Sequence, residues 1–173
     1  PVKQIAAGRL STCALLTTGA VRCWGSNANG QLGYNNTTNV GNTPAASIIN
    51  TGDVPLGGIA KQVVMGDFHA CALLTSGAVR CWGDNTPGQL GYNNTTTIGN
   101  SVATSIVSAG DVPLGGTAVH LTAGQGFTCA ILTNGSVRCW GGNANGELGY
   151  NHTSNVANSQ ATSIINTGDV RIF

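Results

Sequence analysis

The chain has 173 residues, 41% of them hydrophobic and only 8% charged, with 26 glycines and a net charge of +1 from seven Lys or Arg against six Asp or Glu. This apolar content beneath an Asn, Thr, Ser and Gly surface excludes a disordered chain, and cations that are few and scattered exclude the electrostatic footprint of a nucleic-acid binder. The sequence lacks the run of about 18 apolar residues that membrane insertion needs, and its opening, Pro1-Val2-Lys3, has neither a methionine nor a signal-peptide core, so it reads as a processed protein or an excerpt.

CALLTTGAVRCWG from Cys13 returns as CALLTSGAVRCWG from Cys71 and as CAILTNGSVRCWG from Cys129, a period of 58 residues. Three repeats follow, at 1–58, 59–116 and 117–173. A period of this size marks a unit that hides its apolar surface by packing against copies of itself.

Each repeat opens on an apolar stretch ending in glycine, Val2 to Gly8, Ala60 to Gly66 and Ala118 to Gly124, which predicts a first strand. A hairpin follows, turning at Thr17-Thr18-Gly19, Thr75-Ser76-Gly77 or Thr133-Asn134-Gly135, with glycine where the turn needs a left-handed residue. Centring the hairpin on Thr18 sets Leu15 opposite Val21 and Cys13 opposite Cys23. Directly facing residues lie within reach of a disulfide, which predicts bridges Cys13–Cys23, Cys71–Cys81 and Cys129–Cys139 and a non-cytosolic compartment, extracellular or at the cell surface. The alternative is buried free thiols acting as small hydrophobes. A zinc site is not expected, because the spacing is not a ligand spacing and no repeated His or acidic residue completes the set.

After Trp24-Gly25 comes an Asn- and Gly-rich segment, then Ser47-Ile48-Ile49, read as a short fourth strand, and a closing turn Thr51-Gly52-Asp53-Val54-Pro55. Four antiparallel strands at a fixed period predict an all-β fold of β-propeller blades, with a linear β-solenoid as the alternative. Three blades make an open arc whose end faces need covering. The expected cover is further repeats of a longer parent chain, or identical chains joined as a ring or filament.

The string G-x4-C-A-L-L-T-x-G-x-V-x-C-W-G-x-N-x-x-G-Q-L-G, from Gly8 to Gly33 and again from Gly66 to Gly91, resembles repeats of the regulator of chromosome condensation family. It is most similar to the bacterial, cysteine-bearing form found in surface or secreted proteins. The resemblance covers all three copies and implies a propeller, most often of seven blades. Members of that family range from a nucleotide exchange factor to ubiquitin ligases, a light sensor and a secreted β-lactamase inhibitor, so no exchange site is carried over and one scaffold serves many partners.

Trp24, Trp82 and Trp140 recur at one place and read as blade-packing anchors, with sugar stacking as the alternative. Arg22, Arg80 and Arg138 recur with Asp53, Asp111 and Asp169, which predicts a bridge from each Arg to an Asp or to backbone carbonyls of a neighbouring blade; independent exposure is the alternative. Tyr34, Tyr92 and Tyr150 offer ring and hydroxyl as partner contacts, or pack. Asn27-Ala28-Asn29-Gly30 faintly resembles a calcium loop but lacks carboxylates, so turn chemistry is preferred. The Asn-x-Thr triplets at Asn36 and Asn94 accept glycans only in a glycosylating host. His69, His120 and His152 fall at different places in the repeat and cannot form a metal ring, and no catalytic constellation interrupts any copy. The third copy departs most, through Val119, His120 and Arg171-Ile172-Phe173, as at a junction. No metal, cofactor or enzyme activity is therefore expected. The reading is an extracellular structural and assembly module whose partner is itself, further repeats or another protein, with an inhibitory or protein-binding propeller as the alternative and a nucleotide exchange factor as a distant one.

Overall fold

A computed structural model describes residues 1–172; Phe173, the last residue of the third repeat, lies outside the described residues. Each repeat folds into one antiparallel three-stranded sheet in simple meander order. The first holds β1 (Val2–Ala7), β2 (Ser11–Leu16) and β3 (Val21–Gly25); the second β4 (Ala60–Met65), β5 (His69–Leu74) and β6 (Val79–Gly83); the third β7 (Ala118–Ala123), β8 (Phe127–Leu132) and β9 (Val137–Gly141).

The hairpin turn sets the register. Gly19 takes φ +84°, its N–H donates to the Leu16 carbonyl at 2.9 Å, and Leu15 faces Val21 while Cys13 faces Cys23. The same register recurs in the second and third sheets. All six cysteines are joined in facing pairs, Cys13–Cys23, Cys71–Cys81 and Cys129–Cys139, with Cα separations of 4.0, 4.1 and 4.1 Å.

The fourth strand expected at Ser47-Ile48-Ile49 is not a strand. Ser47 instead caps a single helical turn, α1 (Ile48–Thr51), its hydroxyl accepting from the Asn50 N–H at 3.3 Å, and Gly52 ends it at φ +80°. Ser105 and Ser163 cap α2 (Ile106–Ala109) and α3 (Ile164–Thr167) in the same way. A serine cap with glycine one turn later outweighs the strand preference of two isoleucines. What remains of a fourth strand is one bridge per repeat, Gly25 to Val40, Gly83 to Ile98 and Gly141 to Val156.

The sheets stack side by side, β1 beside β4 and β4 beside β7, and share one continuous apolar core. Along the inner rim the backbones almost touch. A Cβ at Gly8 would collide with the Gly66 carbonyl oxygen, and one at Gly66 with that of Gly124.

The bridges differ in access: Cys13, Cys23, Cys71 and Cys81 are fully buried, whereas Cys129 is partly exposed. Thiol exchange requires access to sulfur. Under mild reductant the Cys129–Cys139 bond is therefore expected to open first, which trapping with an alkylating reagent and peptide mass mapping would check. Full reduction is expected to cost about 2–3 kcal/mol per bond in denaturant unfolding.

Candidate functional site

The side chains that recur in the sequence converge on the flanks where one sheet meets the next. Trp82 donates its indole N–H to the Gln31 carbonyl of the preceding repeat at 2.9 Å, and Trp140 does the same to Gln89 at 3.0 Å; both rings are completely buried. A buried Trp needs a partner for its one donor. The chain turn that supplies the carbonyl is itself built by Asn27, whose amide donates to the Asn36 and Thr38 carbonyls and whose oxygen accepts from the Leu32 N–H. Asn85 and Asn143 repeat that scaffold.

Nearer the inner rim, the Gln4 carboxamide clasps the next sheet, donating to the Val63 carbonyl at 2.7 Å and accepting from the Val63 N–H at 3.1 Å. Gln62 grips Leu121 likewise, with both bonds at 2.9 Å. Sequence reasoning missed these two residues. The available signal was glutamine at one repeat position in two copies and His120 in the third.

The Arg–Asp ion pairs lie within a repeat and do not cross between blades. Arg22 meets Asp53 at 2.6 Å, Arg80 meets Asp111 at 2.8 Å and Arg138 meets Asp169 at 2.8 Å. The closing turn brings the carboxylate back to its own hairpin, because the Val54 N–H bonds the Val21 carbonyl. What crosses is the other arm of the guanidinium: Arg80 Nη1 donates to the Leu56 carbonyl of the preceding repeat at 2.6 Å, and Arg138 donates to that of Leu114. One fork thus ties its own turn and its neighbour.

Tyr34, Tyr92 and Tyr150 are internal ties. The Tyr34 hydroxyl accepts from the Cys23 N–H at 2.9 Å and faces the Cys23 and Gly52 carbonyls, pinning the helical turn to β3. Tyr92 and Tyr150 repeat the arrangement. Burial raises all three phenol pKa values, that of Tyr92 to about 12. Their hydroxyls are committed, so the sequence-based role as partner contacts is not supported by this geometry.

The histidines scatter. His120 is exposed on β7, His152 stacks on Tyr150 at 5.9 Å, and His69 is completely buried between the second and third sheets. The Thr128 hydroxyl donates its one proton to the Gln89 carbonyl at 3.0 Å, so the His69 Nε2, 3.0 Å from the Thr128 Oγ1, donates to that hydroxyl oxygen. Burial drives the His69 pKa down to about 4, against a weaker upward pull from Asp84. Among the described residues no group of three or more His, Cys, Asp or Glu is arranged to hold a metal, and no helix is long and apolar enough to cross a membrane.

The first and third repeats, set side by side, sort the two flanks. Ile5 is 63% exposed, whereas Val63 and Leu121 at the same repeat position are at 0% and 1%. Trp24 is likewise only half-buried. These residues are covered only when a repeat precedes them. Ile131 is 39% exposed, whereas Leu15 and Leu73 are at 0% and 1%, so that position is covered only when a repeat follows. The arc therefore presents a bare preceding flank on repeat 1 and a bare following flank on repeat 3.

Three meander sheets stacked in this way form an arc of a β-propeller. A profile of the Regulator of chromosome condensation (RCC1) repeat matches residues 2–31, 60–89 and 118–147, and a second RCC1 profile matches residues 18–73. The chain belongs to the RCC1-repeat family. It is 31% identical over 157 residues to the human probable E3 ubiquitin-protein ligase HERC4, covering 91% of this chain but 14% of that protein. It is 28% identical over 149 residues to the mitochondrial RCC1 domain-containing protein RUG3 of Arabidopsis thaliana, covering 86% of this chain and 31% of that protein. Among solved structures, human WBSCR16 superposes with a TM-score of 0.67 at 23% identity, covering 91% of this chain and 38% of that one. Yeast RCC1 (Prp20), in its complex with Kap60, superposes with a TM-score of 0.66 at 17% identity, covering 98% and 37%. These likenesses show the propeller fold.

Two outcomes are expected from this geometry. Trp82→Ala should cost about 3–5 kcal/mol in urea unfolding and Trp24→Ala markedly less, since the Trp82 ring lies inside a joint and the Trp24 ring does not. The neutral form of His69 is favoured by folding, so its contribution is complete above about pH 6.5 and is lost as pH falls towards 4. The loss is on the order of 3 kcal/mol, and His69→Phe, which installs the residue of the third repeat, should flatten unfolding midpoints over that window.

Proposed function

We propose that this chain is a non-catalytic, extracellular assembly module, an arc of propeller blades whose two end flanks bury against further blades of the same kind, carried by another copy or by a longer chain. The observation that carries this reading is the pair of bare flanks, each exposing the residues that the two internal joints bury. The internal joints define what fits there: an apolar seam, a carbonyl for the indole and an acceptor for the guanidinium. Closure of all six cysteines into bridges supports a compartment outside the reducing cytosol. Uniform copies support a structural task, because among the described residues no repeat departs from the others by a cluster of acid, base and nucleophile.

A protein-binding or inhibitory scaffold is the second reading, favoured by the solved complex of the similar yeast RCC1 with Kap60.

The test is an extended chain with an additional copy of residues 59–116 placed before Pro1. If the flanks take like blades, the added repeat covers Ile5 and Trp24. Ile5 alone should then contribute about 1–2 kcal/mol, and the urea midpoint of the original repeats should rise. An extended chain that unfolds at the original midpoint, with the added repeat melting separately, would refute the reading.

A further inference from the structure

Resting on that reading, we propose that the bare flank of repeat 1 takes the bare flank of repeat 3 from a second copy of this chain, head to tail, and that His120 makes this joint weaker than the two internal ones. The geometry for the first half is already present twice within the chain. At both internal joints the indole donates to a carbonyl of the preceding repeat, Trp82 to Gln31 and Trp140 to Gln89, and at the second joint alone Thr128 donates to the Gln89 carbonyl as well, Ala70 standing at that position in the second repeat. Thr12 and Trp24 occupy the same repeat positions on the bare flank of repeat 1. Their acceptor on a second copy is the Glu147 carbonyl, one period beyond that of Gln89.

Glu147 replaces glutamine without disturbing that turn. Its carboxylate accepts from the Asn145 N–H at 2.9 Å, as the Gln31 side-chain oxygen accepts from the Asn29 N–H at 2.9 Å. Arg22 is the third matched group. Arg80 and Arg138 reach back to the Leu56 and Leu114 carbonyls, and the corresponding carbonyl on a second copy is that of Ile172. Arg22 meanwhile stays paired with Asp53 and is 32% exposed, against 16% and 15% for the other two.

The following flank of repeat 3 also has the room. A Cβ at Gly30 or Gly88 would lie 2.6 Å from the backbone nitrogen of Asn100 or Asn158 in the next repeat, whereas one at Gly146 meets nothing within 4 Å. Ile131 supplies the apolar surface opposite Ile5 and Trp24.

His120 breaks the match at one point. Gln4 and Gln62 each give one strand residue both a donor and an acceptor from adjacent atoms of a single carboxamide. The two nitrogens of an imidazole point away from each other and cannot grip both the N–H and the carbonyl of Ile5 on the partner. The joint between copies therefore lacks the clasp that both internal joints have, and the copies part while the repeats within each chain stay together.

Sedimentation velocity and light scattering over a concentration series test this with the full chain. The wild type should associate reversibly, and His120→Gln should lower the concentration of half-association roughly tenfold. Ile5→Asp blocks one flank at a side chain already exposed. Gly146→Asn blocks the other at φ +81°, a conformation asparagine tolerates. Each variant alone should lose growth beyond a single chain, while an equimolar mixture of the two, each keeping one good flank, should form a dimer and nothing larger. A wild type that remains a single chain of 17.4 kDa at all concentrations would overturn the inference, while leaving like-blade burial to the extended-chain result. Association that is unchanged by Ile5→Asp and Gly146→Asn, or by His120→Gln, would overturn it as well.

Discussion

A three-stranded sheet has two broad flanks and too little thickness to shelter either, and the whole molecule follows from how one flank is buried by the next. The joint is made from the outer turn of one repeat and the last strand of the following one. A Trp ring fills the gap, and its single polar atom finds a backbone carbonyl across the seam. Burying so large a ring without that acceptor would carry an unpaired donor into the core. The carbonyl is held in place by a buried asparagine that ties down its own loop, so the joint depends on turn chemistry as much as on apolar area.

Two kinds of reinforcement act at different scales. Disulfides work inside one hairpin and fix the pairing of β2 with β3, β5 with β6 and β8 with β9. Carboxamide clasps, indole bonds and guanidinium forks work between sheets. A hairpin could therefore persist under conditions that separate its sheet from the next, whereas a sheet deprived of a neighbour exposes the residues that define its core. Charge has little part in this scheme, since the three ion pairs among the described residues are partly exposed and stay within their own repeats.

The repeat, the hairpin and its register were legible because each rests on local rules: a period, a glycine at the left-handed turn position and the face-to-face placement that follows from it. The propeller architecture followed from the strands. The peripheral segment misled, because Ser47-Ile48-Ile49 has the side chains of a strand, and the cap that turns it helical involves only Ser47 and Gly52 at its ends. The Arg–Asp pairing was visible as recurrence, but which repeat each partner belonged to depended on the path of the closing turn. Gln4 and Gln62 were overlooked since they act across the seam, where recurrence alone does not say what a side chain touches. Tyr34 and its equivalents were open to two readings in the sequence, and only the positions of the Cys23 and Gly52 groups show the hydroxyl to be spent internally.

The near-contact of Gly8 with Gly66, and of Gly66 with Gly124, has a geometric consequence. Where bare main chain meets bare main chain there is no side chain left to shorten, so adjacent sheets cannot be brought closer at the inner rim, and any substitution can only wedge them apart. The angle between successive sheets is thus pinned at its hub, and the outer loops are free to change in length and character without altering how many sheets a full turn can hold.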